Sequence, residues 1–496
     1  MTRSTLLRSF SCLALAAGLC SIAHAQAGRR FPSEKKVVVD PVTGVELAFL
    51  TSTPAGDSKV YPTHPQWTAD GQWIIFRSKR VPGQAMAVNE QSGELVQVTE
   101  TGYTGALCMA QKTMRLFFCR PVDHLTRKPE ASESVSRGDD PRRTMALGKD
   151  GKPQMDEASR KAEADARAAD ARRAAERKAK PRVQNQVVSL DLARLFADSA
   201  AGTLKPAASY ETVHGVIPLD IGGAGELALD ADEQTVYFRM EKEAAAKLLP
   251  AGTRIEENFG PRHMGAGPAG VAKMDLRTGE VTPVVVVPFQ VGHIQSNPWT
   301  PGQVMFCWET GGKSPQRTWV VNGDGSKLRP LFAEATFDWV THEAFIGPDE
   351  AAFAVLGHRP IGTKDEWGEC GSRAHPTGLG ISSVSTGTML FVGQTKTGSG
   401  FWHVHGSADG RWATGDDFER NLYLIDRRTG EMILLSAGHK TTAADHVHPT
   451  FSPDSTRISI QSALLSEDNR SMNICVVPVP KSWLARTYDE TVHPSR

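Results

Sequence analysis

His64-Pro65-Gln66-Trp67-Thr68-Ala69-Asp70-Gly71-Gln72-Trp73-Ile74-Ile75-Phe76 carries the fold of this 496-residue chain. An Asp-Gly turn between β-rich runs is the strongest short-range hairpin signal. The same arrangement of a few residues, a polar turn and an apolar run returns six more times. Gly105-Ala106-Leu107-Cys108 precedes Gln111-Lys112, and Gly225-Glu226-Leu227-Ala228 precedes Asp232-Glu233. Gln295-Ser296-Asn297-Pro298 precedes Pro301-Gly302, and His342-Glu343-Ala344-Phe345 precedes Pro348-Asp349. Trp402-His403-Val404-His405 precedes Asp409-Gly410, and His448-Pro449-Thr450-Phe451 precedes Asp454-Ser455.

Most of these turns are spaced like propeller blades of four strands, a period of about 40–50 residues. A second set of turns sits later in each unit: Gln91-Ser92-Gly93-Glu94, Arg277-Thr278-Gly279-Glu280, Gly323-Asp324-Gly325-Ser326, Ser385-Thr386-Gly387-Thr388 and Arg428-Thr429-Gly430-Glu431. These read as outer hairpins. The expected fold is all-β, a seven-bladed β-propeller over residues 26–496. Six or eight blades stay open, because the second and third repeats are degenerate.

One gap between turns is far longer than the rest. It contains Met155 to Lys180, rich in Ala, Arg, Glu, Lys and Asp and nearly free of large apolar residues. Helix propensity is high there, but no apolar stripe exists to be buried. Residues 125–182 therefore read as a charged helical or disordered insertion, solvated in preference to forming a lid or partner arm.

Residues 1–25 read as a secretory signal peptide. Arg3 and Arg8 form the basic region, Leu13 to Ile22 the apolar core, and Ala23-His24-Ala25 the cleavage site. The expectation is a periplasmic or secreted protein with no membrane span. The formal net charge of zero argues against a general nucleic-acid-binding surface. Cys108, Cys119, Cys307, Cys370 and Cys475 follow the leader, an odd number without a C-x-x-C pair, so a zinc–thiolate site is not expected. Cys108 and Cys119 are candidates for a bridge between neighbouring strands. Cys307 and Cys475 read as buried thiols.

The histidines carry the chemistry. In a propeller, the starts of equivalent inner strands converge at one mouth of the central channel. His64, His342, His403, His405, His446 and His448 enter the repeats in this way, and His293 of Val291-Gly292-His293 joins them. Neutral imidazole is the commonest protein metal ligand, and three or four together suit a divalent transition-metal ion. Arg317 follows the loop Trp308-Glu309-Thr310-Gly311-Gly312. It reads either as a bidentate carboxylate fork or as a surface arginine.

At these residues the chain resembles the oligogalacturonate lyase family. The resemblance covers roughly residues 220–485, and 36–120 more weakly. It rests on Val291-Gly292-His293, Phe306-Cys307, Glu309-Thr310-Gly311, Thr341-His342-Glu343, His403, His446-Val447-His448-Pro449-Thr450-Phe451 and the ending Val477-Pro478-Val479-Pro480-Lys481-Ser482-Trp483. It implies a seven-bladed, metal-dependent lyase that acts on acidic oligosaccharides by β-elimination. It also implies a divalent ion, typically Mn2+, on His403, His446 and His448, with His342 as base and Arg317 as catalytic arginine. Two positions depart from the pattern. Ala443 stands where the family has a glutamine ligand, for which Asp445 or His405 are candidate substitutes. Trp308 stands where the family has a further histidine. The alternative reading is a non-catalytic periplasmic propeller that binds protein partners, or uronates without cleaving them.

Overall fold

The computed structural model describes residues 26–125, 183–222, 225–258, 264–311, 313–335, 338–356, 377–395 and 400–492, with the backbone of 364–365 and 368–369. The expected leader (1–25), all of the charged insertion (125–182) except its first residue, and Cys370 lie outside the described residues. Among the described residues, no helix is long and apolar enough to cross a membrane.

Seven antiparallel sheets of four or five strands follow one another around a ring, which makes the protein a seven-bladed β-propeller. Each of the seven turns read from the sequence closes the innermost hairpin of one blade. All five outer turns join the third and fourth strands. Blade one begins at Asp57–Lys59 and blade two at Thr104–Met109. Blade three begins at Leu227–Leu229, blade four at Val291–Ser296, and blade five at Trp339–Gly347. Blade six begins at His403–Gly406 and blade seven at Thr450–Phe451.

The inner turns repeat because one local hydrogen-bond set repeats. Thr68, Ser407 and Ser452 each donate a hydroxyl to the aspartate two residues on, at 2.5, 2.6 and 2.5 Å. The same hydroxyl oxygens accept the N–H of Trp73, Trp412 and Arg457 at 3.1, 2.8 and 3.1 Å. A short polar side chain thus takes over backbone bonds that the tight turn cannot make.

The two ends of the chain share blade seven. Glu46–Phe49 pairs with Asn473–Pro478, aligning Ala48 with Val476 and Phe49 with Cys475, and Lys36–Val39 adds the outermost strand. A further strand, Arg30–Phe31, adds a fifth member to blade one against Leu95–Gln97. Apolar clusters lie between neighbouring blades. At the closing seam Trp67, Ile74, Phe76 and Met86 of blade one pack on Leu50, Ile474 and Val476 of blade seven. Burial of each such side chain is worth about 1.5–3 kcal/mol.

Polar side chains stitch the same region. Lys59 is buried, and its Nζ donates to His448 O (2.6 Å), Ser459 O (2.7 Å) and Thr450 Oγ1 (3.1 Å). His439 is also buried, with Nε2 2.9 Å from Ser436 Oγ of blade six and Nδ1 2.8 Å from Ser462 Oγ of blade seven.

The proposed Cys108–Cys119 bridge is corrected by the strand register. Cys108 faces Phe117, whereas Cys119 faces Thr104 and Val187. Both are free buried thiols, and Cys108 Sγ donates to Leu227 O at 3.0 Å. Cys307 and Cys475 are likewise free and buried.

Two stability predictions follow from the seam. Lys59→Met leaves the His448 and Ser459 carbonyls without their charged donor, and it should lower the unfolding free energy by about 3 kcal/mol in urea titrations. Burial holds the His439 imidazole down at about 4. The unfolded chain takes up that proton below about pH 6.5, while the native ring refuses it until about pH 4. The His439 contribution to stability should therefore fall as pH drops through this window, by about 1.4 kcal/mol per unit. In urea titrations at several pH values, His439→Gln should show a slope shallower by that amount.

Candidate functional site

Blades four to seven and blade one send side chains to one mouth of the channel. Three histidines arrive there with a left-handed backbone: His293 (φ 52), His342 (φ 54) and His448 (φ 52). Nine non-glycine residues among those described have positive φ, and three of them meet at this mouth. Each such residue costs on the order of 1–3 kcal/mol and persists only when its surroundings enforce it.

The cause in blades four and five is an extra residue in the inner strand. Pairing shifts between Gly292 and Gln295 and again between Thr341 and Ala344. Such a bulge breaks the alternation of a strand and re-aims a side chain. It lets His342 and its neighbour Glu343 serve the same site, although regular alternation would send them to opposite faces.

One half of the site is made of imidazoles. The ring centres of His403 and His448 lie 3.9 Å apart, and those of His403 and His446 5.5 Å apart. His446 Nδ1 donates to Asp416 Oδ2 at 3.0 Å, and the His403 N–H donates to Asp416 Oδ1 at 2.8 Å. A carboxylate on Nδ1 fixes the tautomer and leaves Nε2 as the lone-pair nitrogen. His403 Nδ1 is 3.2 Å from the same carboxylate but off the hydrogen-bond direction, and it is buried with no hydrogen-bond partner. Potential ligand atoms of His403, Asp416 and His446 lie within 4.8 Å of one another. His448 Nε2 is 3.5 Å from Asp445 Oδ1. Burial lowers the pKa of both His403 and His446, so both are neutral at pH 7, the state in which imidazole binds metal.

Two rings that ligate one ion through nitrogens about 2.1 Å from it have centres about 4.5–5.3 Å apart. The observed spacings, 3.9 and 5.5 Å, fall outside that range on either side, so ligation of one ion would require the rings to shift slightly. The converging ligand atoms of His403, Asp416 and His446 and the orphaned His403 nitrogen are the chemistry that suits a divalent ion in this half.

The other half is built around Arg317. Its Nε donates to Glu343 Oε2 at 2.8 Å, and its Nη2 lies 3.6 Å from Glu309 Oε2 and 3.4 Å from His293 Nδ1. His293 stands between the same carboxylates, 3.4 Å from Glu309 and 3.2 Å from Glu343. Burial opposes its charge, but Glu343 outweighs burial and the net pKa is raised. Burial works in the same way against Glu343, and there Arg317 prevails, holding the carboxyl below its ordinary range. Glu334, pushed up to about 7 by burial, accepts the backbone N–H of Arg317 at 2.9 Å.

His342 and Tyr61 join the halves. The His342 ring centre is 4.2 Å from that of His403 and 6.4 Å from that of His293. Tyr61 lies 5.3 Å from both His293 and His448. Burial, reinforced by the positive charge of Arg317, drives the His342 pKa well below the ordinary value.

His342, Arg317, His403, His446, His448, His293 and Asp445 thus share one mouth. His64 and His405 do not join it. The His64 nitrogens are used on Leu227 O (2.7 Å) and Thr63 Oγ1 (2.8 Å), and His405 Nδ1 is used on Gly406 O (2.8 Å). Arg317 is 3% exposed, which corrects the surface-arginine reading. Ala443 packs with Ala463 and Met472, and Trp308 stacks on Phe289 at 4.7 Å while its Nε1 donates to Gly265 O. Sequence reasoning missed Tyr61, Asp416, Glu309, Glu343 and Trp402 as site members. The nearest signal was the adjacency of Glu343 and Trp402 to histidines.

No family model matches the chain. It is 26% identical over 215 residues to an oligogalacturonate lyase of Dickeya dadantii (strain 3937), covering 38% of this chain and 51% of that protein. The chain therefore spans about half the length of the curated relative it matches. Two solved structures share the fold at 17% identity and a TM-score of 0.61. One is an oligogalacturonate lyase in complex with manganese, and 92% of this chain covers 99% of it. The other is the oligogalacturonate lyase of Vibrio parahaemolyticus, of which the same share of this chain covers 100%. The chain resembles the oligogalacturonate lyase family. In both those lyase structures the resemblance extends around the whole ring, whereas in sequence it is confined to part of it.

The orienting carboxylate gives a test of the imidazole half. Asp416→Asn should weaken Mn2+ binding about 10–100-fold in calorimetric titration while the protein stays folded.

Proposed function

We propose that this protein is a divalent-metal-dependent lyase that cleaves short uronate oligosaccharides by β-elimination. The observation that carries the proposal is a neutral His342 ring 4.2 Å from His403, at the edge of the imidazole group His403, His446 and His448. The partial sequence match to an oligogalacturonate lyase supports the substrate class, and the manganese complex of a fold neighbour supports the choice of ion. The leader-like residues 1–25 support export to the periplasm or beyond.

A divalent ion on His403, His446 and His448, probed first as Mn2+, would supply Lewis-acid stabilisation to a uronate carboxylate. The residues of the chain do the rest. His342 is held neutral by burial, so its lone pair accepts the C5 proton near neutral pH. The C5–H electrons form the C4=C5 double bond, the C4–O bond breaks, and the leaving oxygen takes a proton. No water enters the cleaved bond.

Arg317 is nearly inaccessible and commits Nε to Glu343. Its part is a fixed positive field at the edge of the site, positioned before substrate arrives and therefore costing no reorganisation. Glu309 and Glu343 moderate that field.

The test is an elimination assay with oligogalacturonates, read as ultraviolet absorbance of the conjugated unsaturated uronate. Chelation should abolish the signal and Mn2+ should restore it. His342→Gln should lower kcat by about 10²–10⁴-fold. If metal-loaded protein yields no unsaturated product from any uronate oligomer, the proposal is wrong.

A further inference from the structure

Three rings step outward from the channel mouth. His342 is followed by Trp402 at 4.7 Å, and Trp402 by Phe418 at 5.4 Å. Trp402 also faces His446 at 5.4 Å. Exposure rises along the series, from buried His403 beside Trp402 to Phe418, which is 42% exposed. Phe418 belongs to the loop Asp417–Asn421 between the second and third strands of blade six. That loop is a rigid support: Asp417 Oδ1 accepts the N–H of Glu419 and Asn421, each at 2.9 Å. The same loop carries Arg420, buried with φ 67, whose charge bears on both His403 and His446.

An exposed phenylalanine on a fixed loop, continuous with a half-buried tryptophan, gains little from folding. A singly exposed apolar side chain is ordinary; what sets Phe418 apart is its contact with Trp402, which in turn meets His342 and His446. A pyranose ring presents an apolar C–H face and a polar rim, which suits an aromatic surface with a cation beneath it.

We propose that Trp402 and Phe418 form a subsite that stacks the sugar ring next to the uronate held at the histidines, so that the protein binds an oligosaccharide in preference to a single uronate. This rests on the acidic-saccharide reading above. The geometry favours a sugar over a peptide, because the ramp is only two aromatic rings wide and begins at the candidate base. Arg420 adds long-range attraction for a neighbouring uronate carboxylate.

The experiment is direct binding, followed by tryptophan fluorescence, of galacturonate and trigalacturonate to Mn2+-loaded protein in the His342→Gln background, where turnover does not interfere. Trigalacturonate should bind more tightly than the monomer. Phe418→Ala should weaken the trimer about three- to tenfold and leave the monomer unchanged, and Phe418→Tyr should restore the trimer. Because Phe418 is exposed, the variant should remain folded, which its unfolding transition checks. If the trimer binds with equal affinity to the parent and to Phe418→Ala, the subsite is overturned while the lyase reading stands. If neither saccharide binds the parent, both fall.

Discussion

Closure of the ring is the constraint on which the rest of the molecule depends. Blade seven is completed only when Glu46–Phe49 from one end of the chain pairs with Asn473–Pro478 from the other. Until it does, the His446–His448 segment has no neighbouring inner strand in blade one, and Lys59 has no carbonyls to bind. The buried Lys59 ammonium is a large desolvation cost, offset by three acceptors at 2.6, 2.7 and 3.1 Å. One of those acceptors is the carbonyl of His448 itself. The element that locks the ring therefore also holds a histidine of the candidate site in its left-handed backbone.

That coupling explains how strained residues survive at the mouth. His293, His342 and His448 each sit in a conformation that non-glycine residues avoid. The ladder to the second strand of the blade fixes each bulged inner strand on one side, and neighbouring blades pack against it. His293, His342 and His403 thus sit on inner strands, and Arg317, His446 and His448 on segments leading into strands, with the bulges supplying the departures from regular alternation that a convergent cluster needs.

The repeat was legible in the sequence because its signal is local. A hydroxyl, an aspartate and a tight turn recur at Thr68–Asp70, Ser407–Asp409 and Ser452–Asp454, and each is a self-contained hydrogen-bond unit. The convergence of His342, His403, His446 and His448 was legible too, once the turns set their register. Less was legible where tertiary contacts decide. His64 and His405 share the register, yet neighbouring carbonyls engage their nitrogens. Asp416 looks like any strand aspartate until blades six and seven meet. Glu343 would be assigned to the opposite face from His342 by alternation, and only the bulge cancels that. The helix Leu192–Ala201 went unread for a similar reason: its stripe of Leu192, Leu195 and Phe196 is short and gains its meaning only against Trp73, on which Phe196 stacks at 4.3 Å.

The two halves of the mouth have opposite electrostatic characters. Around Arg317 and His293, two carboxylates and two nitrogen bases compensate one another in a buried network, in which Glu343 Oε1 is left without a hydrogen bond. Around His403, a single buried carboxylate, Asp416, serves two imidazoles and leaves a nitrogen without a hydrogen bond. The first arrangement is charge-compensated; the second gathers neutral imidazoles. An incoming cation gains most where neutral lone pairs converge and least beside a guanidinium. The Arg317 guanidinium therefore disfavours a divalent ion on its own side relative to the His403 side. His342 stands at the border between the halves, where burial and the neighbouring positive charges keep its proton affinity low. A base in that position stays free to accept a proton, and its conjugate acid gives the proton up readily afterwards.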